Sequence, residues 1–194
     1  MKIFKFFVIF FCVTCAVSFV AAAIMIIKQN MADISMNDGI GFMIKDEKYK
    51  NPVKTEIKNI PEINTNKKNI ALTSGSLYNE IKNQFPEYKI IYYKNIKNSE
   101  LIDKIYDSLS DNIPAVCLYC VNNEINYCVI TGIDIPENKI TAVNPSGYIE
   151  THTVQDFLNA TRFENYKNMD FYLKLGFAVE IFAKNTVYII EKPE

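Results

Sequence analysis

Ile113-Pro114-Ala115-Val116-Cys117-Leu118-Tyr119-Cys120-Val121 leads through Asn122-Asn123 into Glu124-Ile125-Asn126-Tyr127-Cys128-Val129-Ile130-Thr131-Gly132. Read as strand, turn and strand, this stretch decides the fold. Ala115 to Val121 carries no charge, as a strand covered on both faces would. Asparagine tolerates the left-handed backbone, so Asn122-Asn123 suits the two positive-φ positions of a type I′ turn. That turn sets the pairing: Val121 faces Glu124, and Cys117 faces Cys128. Downstream, Pro136-Glu137-Asn138 marks a turn within Ile135–Val143, which supplies a third strand, and Asn144-Pro145-Ser146-Gly147 forms the next loop.

Upstream of the hairpin the period changes from two to nearly four. Leu77, Tyr78, Ile81 and Phe85 fall at helical spacing behind Thr73, Ser74 and Ser76, any of which could accept a backbone N–H at the first turn. Pro86 ends this helix, and Tyr88 to Tyr93 reads as a short strand. A second helix starting at Asn98 or Ser99 carries an apolar stripe of Leu101, Ile102, Ile105, Tyr106 and Leu109, with Glu100 at its positive end. Beyond the hairpin, Thr153 and Asp156 form a capping pair for a helix through Val154, Phe157 and Leu158. Met169 to Ala183 is ambiguous: it fits a helix that Asn185 could end, the reading preferred here, while its odd positions alone also fit a strand; Thr186 to Ile190 reads as a last strand. Helices followed by an antiparallel sheet make an α+β domain.

The chain has 194 residues and is 49% hydrophobic, enough for one domain with a core and too little for two. Its net charge is -1 and Arg162 is its only arginine, so no basic face for nucleic acid is expected. Lys2 and Lys5 precede an apolar run from Phe6 to Ile27. At ~1.5 Å per residue it is long enough to cross a hydrocarbon core of ~30 Å. A retained signal-anchor, residues 1–28, is the preferred reading, with a signal peptide cut near Ala23 as the alternative. Either places the rest outside the cytoplasm, since Lys2 and Lys5 hold the N-terminus inside. Cys12 and Cys15 lie within this run as apolar residues. Residues 29–69 read as a tether and irregular, partly packed lead-in, and 70–194 as the domain.

The order of these pieces resembles the bacteriocin-processing (double-glycine leader) branch of the papain-like cysteine peptidases. In that family an Ile-Pro strand precedes a strand of the form His-Tyr-Val-Val-Val-Thr-Gly, then a strand ending Asp-Pro-x-Gly and a helix opening with Phe-Leu. Ile113-Pro114, Tyr127-Cys128-Val129-Ile130-Thr131-Gly132, Asn144-Pro145-Ser146-Gly147 and Phe157-Leu158 take those places, and the resemblance covers about half the chain, from Ser76 to Leu158. It implies a papain-like fold with a cleft for an extended peptide. It also implies lost catalysis. Asn126 stands where the family has its histidine, and an amide cannot take a proton from a thiol near neutral pH. No cysteine lies between Ala16 and Val116, where the family's nucleophile would be. Asn144 matches the residue that orients the histidine.

Spacing separates the roles open to the remaining cysteines. Cys117 and Cys120 form a C-x-x-C inside a strand and so face opposite sides of the sheet, unlike a redox pair at a helix start. With three cysteines in the domain and His152 off ligand spacing, no metal and no cofactor is expected. Cys117 and Cys128 could form a cross-strand disulfide outside the cell. Cys128 or Cys120 is the candidate for a displaced nucleophile, but its base would have to be His152, which reads as preceding a helix cap rather than lying in a neighbouring strand. Three functions follow in order: an inactive membrane-anchored or exported module that binds a peptide or protein, an active cysteine hydrolase with displaced groups, and an exported structural or surface protein.

Overall fold

The structure, a computed structural model, describes residues 46–55, 73–166, 169 and 171–191. The apolar run 6–27 and the cleavage position Ala23 lie outside the described residues, among which no helix is long and apolar enough to cross a membrane.

Charge-free β3 (Ala115–Val121) is buried along nearly its whole length and pairs antiparallel with β4 (Glu124–Asp134). Asn122 and Asn123 take φ of 54° and 63°, and Val121 faces Glu124 while Cys117 faces Cys128, the register the turn demands. Around this hairpin the strand order is β2-β7-β3-β4-β5-β6, from β2 (Lys89–Tyr93), β5 (Lys139–Val143), β6 (Ile149–His152) and β7 (Val187–Glu191). Two-residue β1 (Val53–Lys54) pairs with β4 beyond the point where β3 ends, Val53 facing Ile133. The lead-in is held here by side chains too: Tyr49 donates to Asp103 Oδ1 at 2.7 Å, and Lys48 pairs with Asp103 and Asp107. All pairings are antiparallel.

Helices cover both faces of the sheet. On one, α2 (Asn98–Ser110) and α3 (Val154–Thr161) bury Leu101, Ile102, Ile105, Phe157 and Leu158 against Cys117, Cys128, Ile130 and Val187. On the other, α1 (Ser74–Gln84) sets Leu77 and Ile81 against Val116, Leu118, Cys120 and Tyr188, and α4 (Phe171–Ala178) adds Phe177. Cys117 and Cys120 thus enter opposite cores, as the alternation of a strand requires. Of the three hydroxyls before α1, Thr73 is the cap: it accepts from Ser76 N at 3.0 Å, and Ser76 Oγ accepts from Thr73 N at 2.9 Å. Thr73→Ala is expected to cost about 1 kcal/mol in chemical denaturation, with Thr73→Ser keeping most of that stability.

Two elements differ from the sequence reading. The last helix stops at Ala178, so Asn185 does not end it. Glu180 turns left-handed at φ 60°, and the chain folds back until Phe182 packs on Gly176, where a Cβ would meet its ring at 2.7 Å. Only glycine admits that contact. His152 directly precedes the cap Thr153, as expected, but it does not lie outside the sheet: it ends strand β6, facing Ile140. The cap itself is as read, with Asp156 N donating to Thr153 Oγ1 at 3.0 Å. Asn144-Pro145-Ser146-Gly147 is the hairpin loop between β5 and β6: Gly147 N donates to Asn144 O, Asn144 N to Tyr148 O, and Gly147 takes φ 82°. Between the bonded pair Asn144 and Tyr148, the three residues Pro145-Ser146-Gly147, with a left-handed glycine, close the hairpin.

Candidate functional site

On the α2/α3 face, residues from β3, β6 and the loop before β6 converge on one carboxylate. Asn144 Nδ2 donates to Glu150 Oε1 at 2.7 Å. Tyr119 OH donates to Glu150 Oε2 at 3.2 Å, and His152 Nε2 lies 3.2 Å from the same oxygen. The Tyr119 and His152 rings meet edge to face with centroids 6.3 Å apart. Glu150 and His152 are half-buried, and Tyr119 is buried. Strand alternation explains the convergence, because Glu150 and His152 are two apart on β6 and therefore share a face.

Of the residues singled out by resemblance, Asn126 is half-buried on β4 opposite Tyr119. Asn144 does not orient position 126. Its carboxamide serves its own hairpin, with Oδ1 accepting from Ser146 N and Tyr148 N at 3.0 Å each while Nδ2 holds Glu150. An asparagine at such a turn locks the loop by mimicking backbone acceptors.

The cysteines are placed against nucleophilic chemistry. Cys117, Cys120 and Cys128 are free thiols with no exposed surface. Burial pushes the Cys117 thiol far above its ordinary value. Cys128 is raised by burial first and then by Cys117 and the Glu150 carboxylate. Burial also raises Cys120, against a small opposing effect of a bond to the Asn123 backbone. A reactive cysteine needs the reverse setting, accessible and beside positive charge. Burial likewise lifts the Tyr119 hydroxyl, with Cys128 and Glu150 adding to it, so Tyr119 stays a neutral donor to Glu150.

Cys117 and Cys128 face each other as the hairpin requires. A two-residue loop closes on a hydrogen-bonded pair, and alternation makes the Cys117 and Cys128 pair hydrogen-bonded as well. Cβ atoms in such a pair stand about 5.5 Å apart, whereas a disulfide needs roughly 3.5–4.5 Å. Bridging them would draw the central strands together. Among the described residues, no group of three or more His, Cys, Asp and Glu side chains is placed to hold a metal ion.

Tyr119 and Glu150 belong to no motif legible in the sequence, and His152 reads there as lying outside the sheet. Their signal was faint: a four-residue strand with alternating burial behind an Asn-Pro-Ser-Gly loop. Among the described residues, fold and cluster together define an α+β domain with a seven-stranded antiparallel sheet and a hydrogen-bonded polar centre at one end of one face. No protein-family model matches the chain, and no curated protein matches its sequence.

Proposed function

We propose that this chain is a peptidase-related domain of papain-like type, held at or exported across a membrane, that has lost cysteine catalysis and binds a peptide or protein partner. The observation that carries the proposal is the state of Cys128. It is the cysteine nearest the family-histidine position on its own strand face, yet it is sealed in the core beside an anion. Such a thiol neither ionises near neutral pH nor meets a substrate. Asn126, at the family-histidine position, is no base. The order of helices and antiparallel strands also suits the family, although that likeness rests on the sequence motifs.

The test is labelling and cleavage by the full chain in detergent micelles. Iodoacetamide is expected to leave Cys117, Cys120 and Cys128 unmodified while the chain is folded and to modify them once it is denatured. No cleavage of a casein or mixed-peptide substrate should accompany it. Cleavage that iodoacetamide abolishes, and that Cys128→Ala also removes, would overturn the proposal in favour of a displaced hydrolase.

A further inference from the structure

Among the described residues, β2 and β6 are the two ends of the main strand order, and they differ. Edge strand β2 is bracketed by charge: Lys89 pairs with Glu191 at 2.8 Å, and Lys94, just past its end, pairs with Glu180 at 3.1 Å. Lysines at an edge discourage added strands. Edge strand β6, Ile149-Glu150-Thr151-His152, has no lysine, no proline and no bulge. It also begins at the two most exposed large hydrophobic side chains described, Tyr148 at 71% and Ile149 at 62%.

The hairpin bonding shows which backbone groups this edge offers. Asn144 N donates to Tyr148 O, so that pair is hydrogen-bonded. Alternation makes Ala142 with Glu150 the next hydrogen-bonded pair and leaves Val143 with Ile149, and Thr141 with Thr151, unbonded. The N–H and C=O groups of Ile149 and Thr151 therefore point away from β5, towards the open side. Glu150 is then in the position where an added antiparallel strand brings its opposite side chain closest. Its carboxylate is already oriented by Asn144, Tyr119 and His152, and it is the only carboxylate on the strand.

We infer that β6 is the docking edge for an extended basic segment of a partner, which adds as an antiparallel strand. A lysine or arginine sits opposite Glu150, and apolar β-branched residues on either side of it lie towards the Ile149 side of the sheet. Main-chain bonds to Ile149 and Thr151 supply the anchorage, and the charge pair selects the sequence. The inference rests on the binding reading above and names the surface and ligand chemistry.

Two capped, fluorescein-labelled peptides test it on the full chain in micelles: Thr-Val-Lys-Val-Thr and Thr-Val-Glu-Val-Thr. The lysine peptide is expected to bind about fivefold or more tightly than the glutamate one. It should slow amide exchange at Ile149 and Thr151 about tenfold. Thr151→Pro removes one outward N–H and no bond to β5, so it should abolish binding while leaving the melting temperature nearly unchanged. Glu150→Gln should erase the preference for lysine and keep the exchange protection, a readout that stands even if the proline variant misfolds. Four results would overturn the inference: no binding of the lysine peptide, binding undiminished in a folded Thr151→Pro chain, edge amides of the free chain as slow as those of β3, or a doubling of mass through this edge. Binding that survives Thr151→Pro would remove this surface and leave the binding module standing. Cleavage sensitive to iodoacetamide would strike only the inactive reading.

Discussion

Asn185→Leu is expected to lower folding stability by about 4 kcal/mol, a large share of what a domain of this size possesses. Asn185 is wholly buried, in the turn before β7, with a positive φ of 45°. Its Nδ2 donates to Ile96 O at 2.9 Å and to Asn98 Oδ1 at 2.8 Å, and its Oδ1 accepts from Thr161 Oγ1 at 3.0 Å. Its backbone N–H donates to Thr161 O at 3.0 Å. One side chain thus joins the entry to α2, the end of α3 and the approach to β7. Leucine has similar size and would remove the side-chain bonds to Ile96 O, Asn98 Oδ1 and Thr161 Oγ1, and a polar group left buried and unbonded costs about 1–3 kcal/mol. A branched side chain at positive φ adds strain. Urea denaturation of the wild type and the variant measures the difference. A loss below about 1.5 kcal/mol would mean that water or a neighbouring side chain takes over these bonds.

The second large effect is alkaline. Cys117 and Cys128 are fully buried, and both thiols are raised from an ordinary value of 9.0. In the unfolded chain they ionise as pH passes about 8.5–9, while in the folded chain they keep their protons. Above that pH the folded state binds more protons than the unfolded state, so stability falls as pH rises. Below it both states are protonated and the thiols contribute no slope. Each thiol that keeps its proton in the folded chain adds about 1.4 kcal/mol of loss per pH unit above its unfolded value. Tyr119 and Tyr188, also raised chiefly by burial, steepen the fall above about pH 10. Melting temperatures measured from pH 7 to 11 under reducing conditions should drop steeply beyond pH 9. In a Cys117→Ala, Cys128→Ala chain the decline between pH 9 and 10 should become much shallower, with Cys120 the raised thiol that remains, and should steepen only with the tyrosines. Coincident curves for the two chains would mean that the thiols titrate alike folded and unfolded.

Local chemistry made much of this fold legible. Asn122-Asn123 dictated the hairpin register, because only certain residues accept two successive positive φ angles. The stripe Leu101, Ile102, Ile105, Tyr106 and Leu109 is buried as its spacing required. Thr153 capped α3 from three residues away. Each signal lies within a few positions of the residues it governs. Strand β6 was not legible, since four residues of mixed polarity look the same in a loop, and only pairing with β5 makes them a strand. The end of α4 was hidden for a related reason: Phe182 must fold back onto Gly176 before the helix stops.

By itself, the sequence determined the α+β order and the hairpin with its facing cysteines. Tertiary structure alone decided that Glu150, Tyr119, His152 and Asn144 meet, that Asn185 joins three elements, and that β6 lies at an edge. The division has a physical cause. Backbone preference and hydrophobic period act between near neighbours and are written into short stretches of chain, whereas a buried hydrogen bond takes its partner from wherever the packed layers bring one.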